Sequence, residues 1–420
     1  IITIKSFRTK EIKDLIRKWF ADNNHYDTPD KLDKVLNVFR TLNLPRTPLA
    51  ISMFLWIIEQ QENYKPVNNA TMLEHFIEKL FKKLSSKEIY SETFDYRNKE
   101  RILADMSHFM FTEGRENYRV TYQETSNYID SLLKMKKFDF QATEVLDHFL
   151  AKGIIIKEND EAETYVRFRF TCFFQYFLMK KMDFDHDFQK YVLQEENYLL
   201  FPNEIDYFTG LKRDRADILK LVVERMDSAY KEILKHISGM EHTFDNIFET
   251  GKTLTSALDN KFIKHISSHK PKEEDLDKIK DELLDKTAPE KGIKKKEVQL
   301  SNSLRLERMW TLASQVLKNT EEIVEPGLKD SSFQKILLCS MAFSNLYKYH
   351  LEDYIRKNSS QLKPKHIDEN LLIVKKILPL VHEIVLHALI GTPKLSVVIR
   401  DKIRDDIGRA EISDLERYLS

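Results

Sequence analysis

Apolar residues recur at helical spacing from the start of the chain, with Ile12, Leu15, Ile16 and Trp19 in series and Phe20 beside them. Positions three and four apart share one face of a helix, so residues 10–22 are expected to form an amphipathic helix. The same spacing continues over 30–43, 48–61 and 70–84. Thr28-Pro29-Asp30 and Thr47-Pro48 supply start signals, because proline at the first helical position loses no hydrogen bond. After residue 97 the pattern changes. Helical stretches at 99–113, 122–136 and 141–152 lead into Gly153–Lys157, an acidic turn over Glu158–Glu163, and the alternating run Thr164–Phe170. Alternation places successive side chains on opposite faces of a strand, so these two runs predict a β-hairpin. Three helices followed by a hairpin is the layout of a winged helix, whose second and third helices form a helix-turn-helix pair. Beyond residue 171 almost only helices are expected, with long ones at 213–238, 299–321, 332–357 and 367–390.

Composition supports this reading. Only 9 Gly and 11 Pro occur in 420 residues, which favours long helices over a turn-rich β architecture. The expected fold is therefore mainly α, in a chain long enough for about two to four domains. The assigned parts are a helical domain at 1–85, a winged-helix domain with a small hairpin at 86–185 and a helical domain at 186–267. A charged helix or linker at 268–298 and an all-helical sensor or scaffold region at 299–420 follow. Ile1–Lys5 is a short apolar run without a signal peptide, expected to be a strand that pairs with a sheet in a longer protein.

Lys+Arg and Asp+Glu balance at 67 each, so no global field draws the chain to nucleic acid or to an anionic membrane. Two cysteines, Cys172 and Cys339, are too few for a disulfide framework and point to a reducing, cytoplasmic setting. The most apolar long run, Leu371–Leu389, is broken by Lys375, Lys376, Pro379, His382, Glu383 and His387, so no membrane span is expected.

Apparent chemical motifs fail on spacing. Thr250-Gly251-Lys252-Thr253 resembles the end of a phosphate loop, but Asn246 stands where the loop needs its first glycine. His382-Glu383 and His387 resemble a zinc-protease signature, yet its histidines must lie four apart to share a helical face, and these lie five apart. Lys294–Lys296 sit in a mixed-charge stretch that is expected to face water, with phosphate binding as the alternative. No catalytic or metal-binding constellation emerges.

Two segments resemble the helical and winged-helix back half of signalling NTPases of the NACHT/STAND type. Leu42-Asn43-Leu44-Pro45-Arg46-Thr47-Pro48-Leu49-Ala50-Ile51 is similar to the Pro-Leu segment of the family's first helical domain, whose proline packs on adenine; Pro48 is the matching position. Phe168-Arg169-Phe170-Thr171-Cys172-Phe173-Phe174-Gln175-Tyr176-Phe177 resembles the family's wing motif, in which Gln175, Tyr176 and Phe177 match the Glu-Tyr-Phe end. The family's phosphate-contacting histidine falls on Phe170, which has no donor, so the resemblance leaves Arg169, with Arg167 on the same strand face, as substitute phosphate contacts. It implies an ATP/ADP-dependent switch with Mg²⁺ in the intact protein, and a phosphate loop and effector upstream. It also implies self-oligomerisation and a protein ligand sensed by the C-terminal helices, in antiphage or innate immune defence. The chain alone would hold no nucleotide and no metal.

Two other readings stay open. A winged-helix DNA-binding regulator would use helix 141–152, which is acidic to neutral, with Lys134, Lys136 and Lys137 before it. A helical protein-interaction scaffold shares most of the same features.

Overall fold

The computed structural model describes residues 6–21, 28–41, 46–60, 68–83, 95–160, 163–237, 272–286, 301–357, 385–386 and 389–407. The expected strand at 1–5, the segment 250–253, Lys294–Lys296, His382, Glu383, His387 and most of the helix expected at 367–390 lie outside them. The described structure is mainly helical, with one small three-stranded antiparallel sheet. The chain divides into two compact units, Ile1–Leu211 with Pro271–Glu297, and Lys212–Lys270 with Val298–Ser420.

The first unit opens with four helices, α1 (Thr9–Trp19), α2 (Thr28–Thr41), α3 (Pro48–Gln60) and α4 (Asn69–Lys83). Their buried positions follow the sequence period: Ile12 and Ile16 in α1, Val35 and Phe39 in α2, Ile51 and Leu55 in α3, Leu73, Phe76 and Ile77 in α4. Next come α5 (Tyr96–Glu113), strand β1 (Val120–Thr121), α6 (Tyr122–Lys136), α7 (Ala142–Ala151), β2 (Ile155–Asn159), β3 (Thr164–Phe168) and α8 (Thr171–Phe184). Local chemistry fixes the boundaries. Asp95 caps α5 by accepting the Asn98 N–H at 2.9 Å, and Gly114 ends the helix at φ 60°, a conformation that glycine adopts without steric cost. Thr121 and Glu124 form a reciprocal capping box at the start of α6, and Arg115 grips Glu124 with two bonds of 2.6 and 2.7 Å. That grip, the Thr121 hydroxyl and its backbone N–H hold the Glu124 carboxyl down to about 2.

The sheet order is β1-β3-β2, with Ile155 opposite Phe168, Lys157 opposite Val166, and Val120 opposite Val166 on the other side. The hairpin β2–β3 stands where alternation predicts it. β1 was not expected, because two residues carry no readable period. The unit continues through α9 (His186–Leu193) and α10 (Pro202–Leu211), and includes the separate helix α12 (Glu273–Lys286).

The second unit is built on α11 (Ala216–Ile237), α13 (Asn302–Asn319) and α14 (Leu328–Lys357), with α15 (Ser396–Ile407) beyond them. Ile218, Val222 and Met226 of α11, Trp310, Ala313 and Leu317 of α13 and Ile336 and Cys339 of α14 are buried in its core. The Trp310 indole donates to the Ile336 carbonyl at 3.2 Å, which satisfies the one polar atom of that buried ring. Arg213 pairs with Glu321 and Glu322, and Lys394 reaches Glu321 at 3.1 Å.

Candidate functional site

α8 is apolar nearly all round, as befits a helix covered on several sides, and it carries Gln175, Tyr176 and Phe177 in its first half. Strand alternation sorts the preceding residues. Phe168 and Phe170 turn inward and are buried, while Arg167 and Arg169 lie half-buried on the opposite face. Phe168 stacks on Phe177 with centroids 5.5 Å apart and meets Phe174 edge-on at 5.9 Å. Phe170 meets Phe173 at 5.0 Å, Phe173 meets Phe76 of α4 at 5.6 Å, Phe76 meets Phe54 of α3 at 6.2 Å, and Phe54 meets Phe39 of α2 at 5.9 Å. The ring at position 170 is therefore the hairpin end of an aromatic chain that runs back to the helix headed by Pro48 and to its neighbour.

The two arginines differ in what they hold. Arg167 spends its guanidinium on neighbours: Nε donates to Glu158 of β2 at 2.7 Å, Nη2 lies 2.5 Å from the same carboxylate, and Nη1 donates to the Phe168 carbonyl at 3.1 Å. Arg169 donates through Nε to the Gly153 carbonyl at 2.7 Å and lies flat over that glycine. Gly153 sits at φ +71° with the guanidinium 3.4 Å from where a Cβ would project, so a side chain there would meet both backbone strain and the arginine. Among the described residues the two terminal nitrogens of Arg169 have no hydrogen-bond partner. Burial, and then the neighbouring Arg167 charge, pull its pKa below the ordinary guanidinium value. Pro48 is the first residue of α3 and half-buried, and the described contacts do not join it directly to either arginine.

At the middle of α8 the motif turns polar inside the protein. Tyr176 is fully buried and donates its hydroxyl to Glu100 of α5 at 3.0 Å. Lys180 pairs with Glu74 of α4 at 2.9 Å and with Glu100 at 3.2 Å, while Lys181 pairs with Asp105 of α5 at 2.9 Å and with Asp185 at 3.0 Å. Burial alone would lower the pKa of Lys180, but Glu100 and Glu74 outweigh it and hold the ammonium above its usual value. Burial pushes the Tyr176 phenol well above its ordinary range. Gln175 is half-buried in the same turn. Sequence reasoning did not single out Lys180, Lys181, Glu74, Glu100 or Asp105; the signal was a Lys-Lys pair inside an otherwise apolar helix, where burial demands partners.

On the surface that a DNA-binding reading would use, acidic residues are exposed and two of the three lysines before α7 are paired. Glu144 and Asp147 are exposed on α7, Lys134 pairs with Asp130 at 2.6 Å and Lys136 with Asp105 at 3.0 Å. His148 of the same helix stacks on Phe81 of α4 at 6.3 Å, and among the described residues its Nε2 finds no hydrogen-bond partner. Burial, then Lys99 and Lys152, press its pKa down to about 4, so it stands neutral near pH 7. Both cysteines are buried and free, and burial pushes the Cys172 thiol up to about 12, as suits a small apolar filler. No group of three or more candidate metal ligands lies together among the described residues. No helix among them is long and apolar enough to cross a membrane.

A family model described as Novel STAND NTPase 4 matches residues 118–178, the stretch from the approach to β1 through the first half of α8. The match supports a relation to STAND NTPases over the segment that holds the three-stranded sheet and the first half of α8. No curated protein and no solved structure matches the chain.

Proposed function

We propose that this chain is the regulatory half of a STAND NTPase, in which a winged-helix domain over residues 86–185 reports the state of a nucleotide held mainly by a phosphate-loop domain elsewhere in the protein. The observation that carries the reading is the family match over residues 118–178, which falls on the wing and the start of α8. The element order α5-β1-α6-α7-β2-β3, with β1 beside β3, supports the winged helix, since a short first strand completing the hairpin into a three-stranded sheet is what that fold requires.

Within this reading Arg169 takes the phosphate and Arg167 does not. Arg169 keeps two donors available on a half-buried, permanently charged group, whereas Arg167 is committed to Glu158. Phe170 contributes packing only, being closed into the aromatic chain. Pro48 offers a rigid apolar ring at a helix start, suited to the face of adenine. Bound ADP would supply an anion bridging the wing to the phosphate-loop domain. Loss of that bridge shifts a two-state interface towards an assembling form, with the C-terminal helices as sensor of a protein ligand in antiphage or innate immune defence. The acidic α7 surface favours this reading over DNA binding.

The expected result for the isolated chain is no magnesium-dependent ATP turnover, because its residues supply contacts rather than a phosphate cradle. Joined to the phosphate-loop domain, the protein should retain ADP, with Pro48→Ala weakening retention mildly. Calorimetric titration checks both, and turnover by the isolated chain at the rate of an ordinary ATPase would overturn the proposal.

A further inference from the structure

Three helices of the first unit share one charged joint, and a fourth starts from it. Asp105 of α5 takes Lys181 of α8 at 2.9 Å and Lys136 of α6 at 3.0 Å. Lys181 also reaches Asp185 at 3.0 Å, and Asp185 caps α9 by accepting the Phe188 N–H at 3.0 Å. Two ammonium groups thus face two carboxylates, and the joint is neutral as it stands. The side chains of Asp105 and Lys181 are only 11% and 15% exposed, so a further charge placed beside them is weakly screened.

His108 stands one turn along α5 from Asp105. Its half-buried ring meets Phe188 of α9 edge-on with centroids 4.7 Å apart, and Phe188 is itself buried against Phe111 and Phe201. α9 meets α5 through these rings. The charged groups that face the imidazole are Lys181 from α8, Asp185 from the joint before α9 and Asp105 from its own helix, while His186, Asp187 and Lys190 of α9 are exposed. Among the described residues no hydrogen bond engages either ring nitrogen of His108. Both carboxylates are already committed, so an imidazolium here would be a third cation without a counter-ion, held against an aromatic ring. Burial first, and then the Lys181 charge, hold its pKa below the ordinary histidine value, against the opposing pull of Asp185 and Asp105.

We propose that His108 is an acid-sensitive latch for α9: the neutral imidazole closes the helix on α5, and its protonation opens α9 with the turn that follows and uncovers Phe188 and Phe201. The open form binds the proton more tightly than the closed form. The stability that the latch contributes is therefore fully present above the ordinary histidine value of 6.5 and is lost as pH falls through the lowered value of the closed form. This device is independent of the nucleotide-switch reading.

The test is hydrogen exchange on the full chain, corrected for the intrinsic pH dependence of exchange. From about pH 7.5 to about pH 5.5 the opening of residues 186–201 should rise several-fold, with roughly tenfold as the ceiling for one proton, while α5 and α8 stay protected. His108→Gln, which takes up no proton, should make that opening independent of pH. His186→Gln, which removes the exposed histidine of α9, should leave the pH response as it is in the wild type. Lys181→Met leaves Asp105 and Asp185 short of one cation, so the His108 titration midpoint, read by NMR and assigned by its loss in His108→Gln, should rise above the wild-type value. A wild-type opening that changes less than about twofold over this range, a pH response that survives His108→Gln, or a midpoint that Lys181→Met leaves in place would overturn the proposal.

Discussion

Phe173→Ala should lower the unfolding free energy by about 3–5 kcal/mol, the cost of emptying a large aromatic site in a closely packed core. Phe173 is fully buried and is the link at which the hairpin end of the aromatic chain, Phe170, meets Phe76 of α4. Its loss therefore removes apolar burial and also separates two sets of helices that otherwise share one core. Urea unfolding followed by circular dichroism measures the effect. A loss below about 1 kcal/mol would show that α8 collapses around the vacancy and that the chain of rings does not bind these helices together.

Lys180→Met should be nearly as costly, at about 3–5 kcal/mol, for the opposite reason. The methylene stem is replaced well enough, but Glu74 and Glu100 lose the ammonium that lies 2.9 and 3.2 Å away, and the Tyr176 hydroxyl already donates to Glu100. Removing one partner of a buried pair strands the other charge, which costs more than the pair itself contributes. Adding Glu100→Gln to Lys180→Met should recover part of the loss. Strict additivity of the two substitutions in equilibrium unfolding would contradict the coupling.

The parts of the fold that were legible in the sequence are those set by local period. Ile12 and Ile16, Val35 and Phe39, and Leu73, Phe76 and Ile77 mark helical faces by spacing alone, and the alternation from Thr164 to Phe170 places the hairpin and sorts phenylalanine from arginine across it. What remained hidden depends on register or on distant pairing. β1 is two residues long and acquires its identity only by lying opposite Val166 and Tyr165. The difference between Arg167 and Arg169 follows from the hairpin register, which puts Glu158 within reach of one and the Gly153 carbonyl within reach of the other. The charged stretch around 273–286 has the composition of a solvated helix, and nothing local reveals that Thr9, Lys13 and Arg46 wait for its carboxylates. Likewise the Lys-Lys pair of α8 looks like a helix end until α4 and α5 bring Glu74, Glu100 and Asp105 against it.

The nucleotide-switch account is tested most directly by ADP retention in the intact protein carrying Arg169→Gln. Glutamine keeps a donor for the Gly153 carbonyl, so the hairpin base survives, but it removes the charge and the two free nitrogens that would meet phosphate. The account predicts that ADP affinity falls about 5- to 150-fold, matching roughly 1–3 kcal/mol for a charged hydrogen bond, and that the monomer fraction in analytical ultracentrifugation falls with it. An unchanged ADP affinity together with an unchanged monomer fraction would contradict it and leave the wing a structural joint.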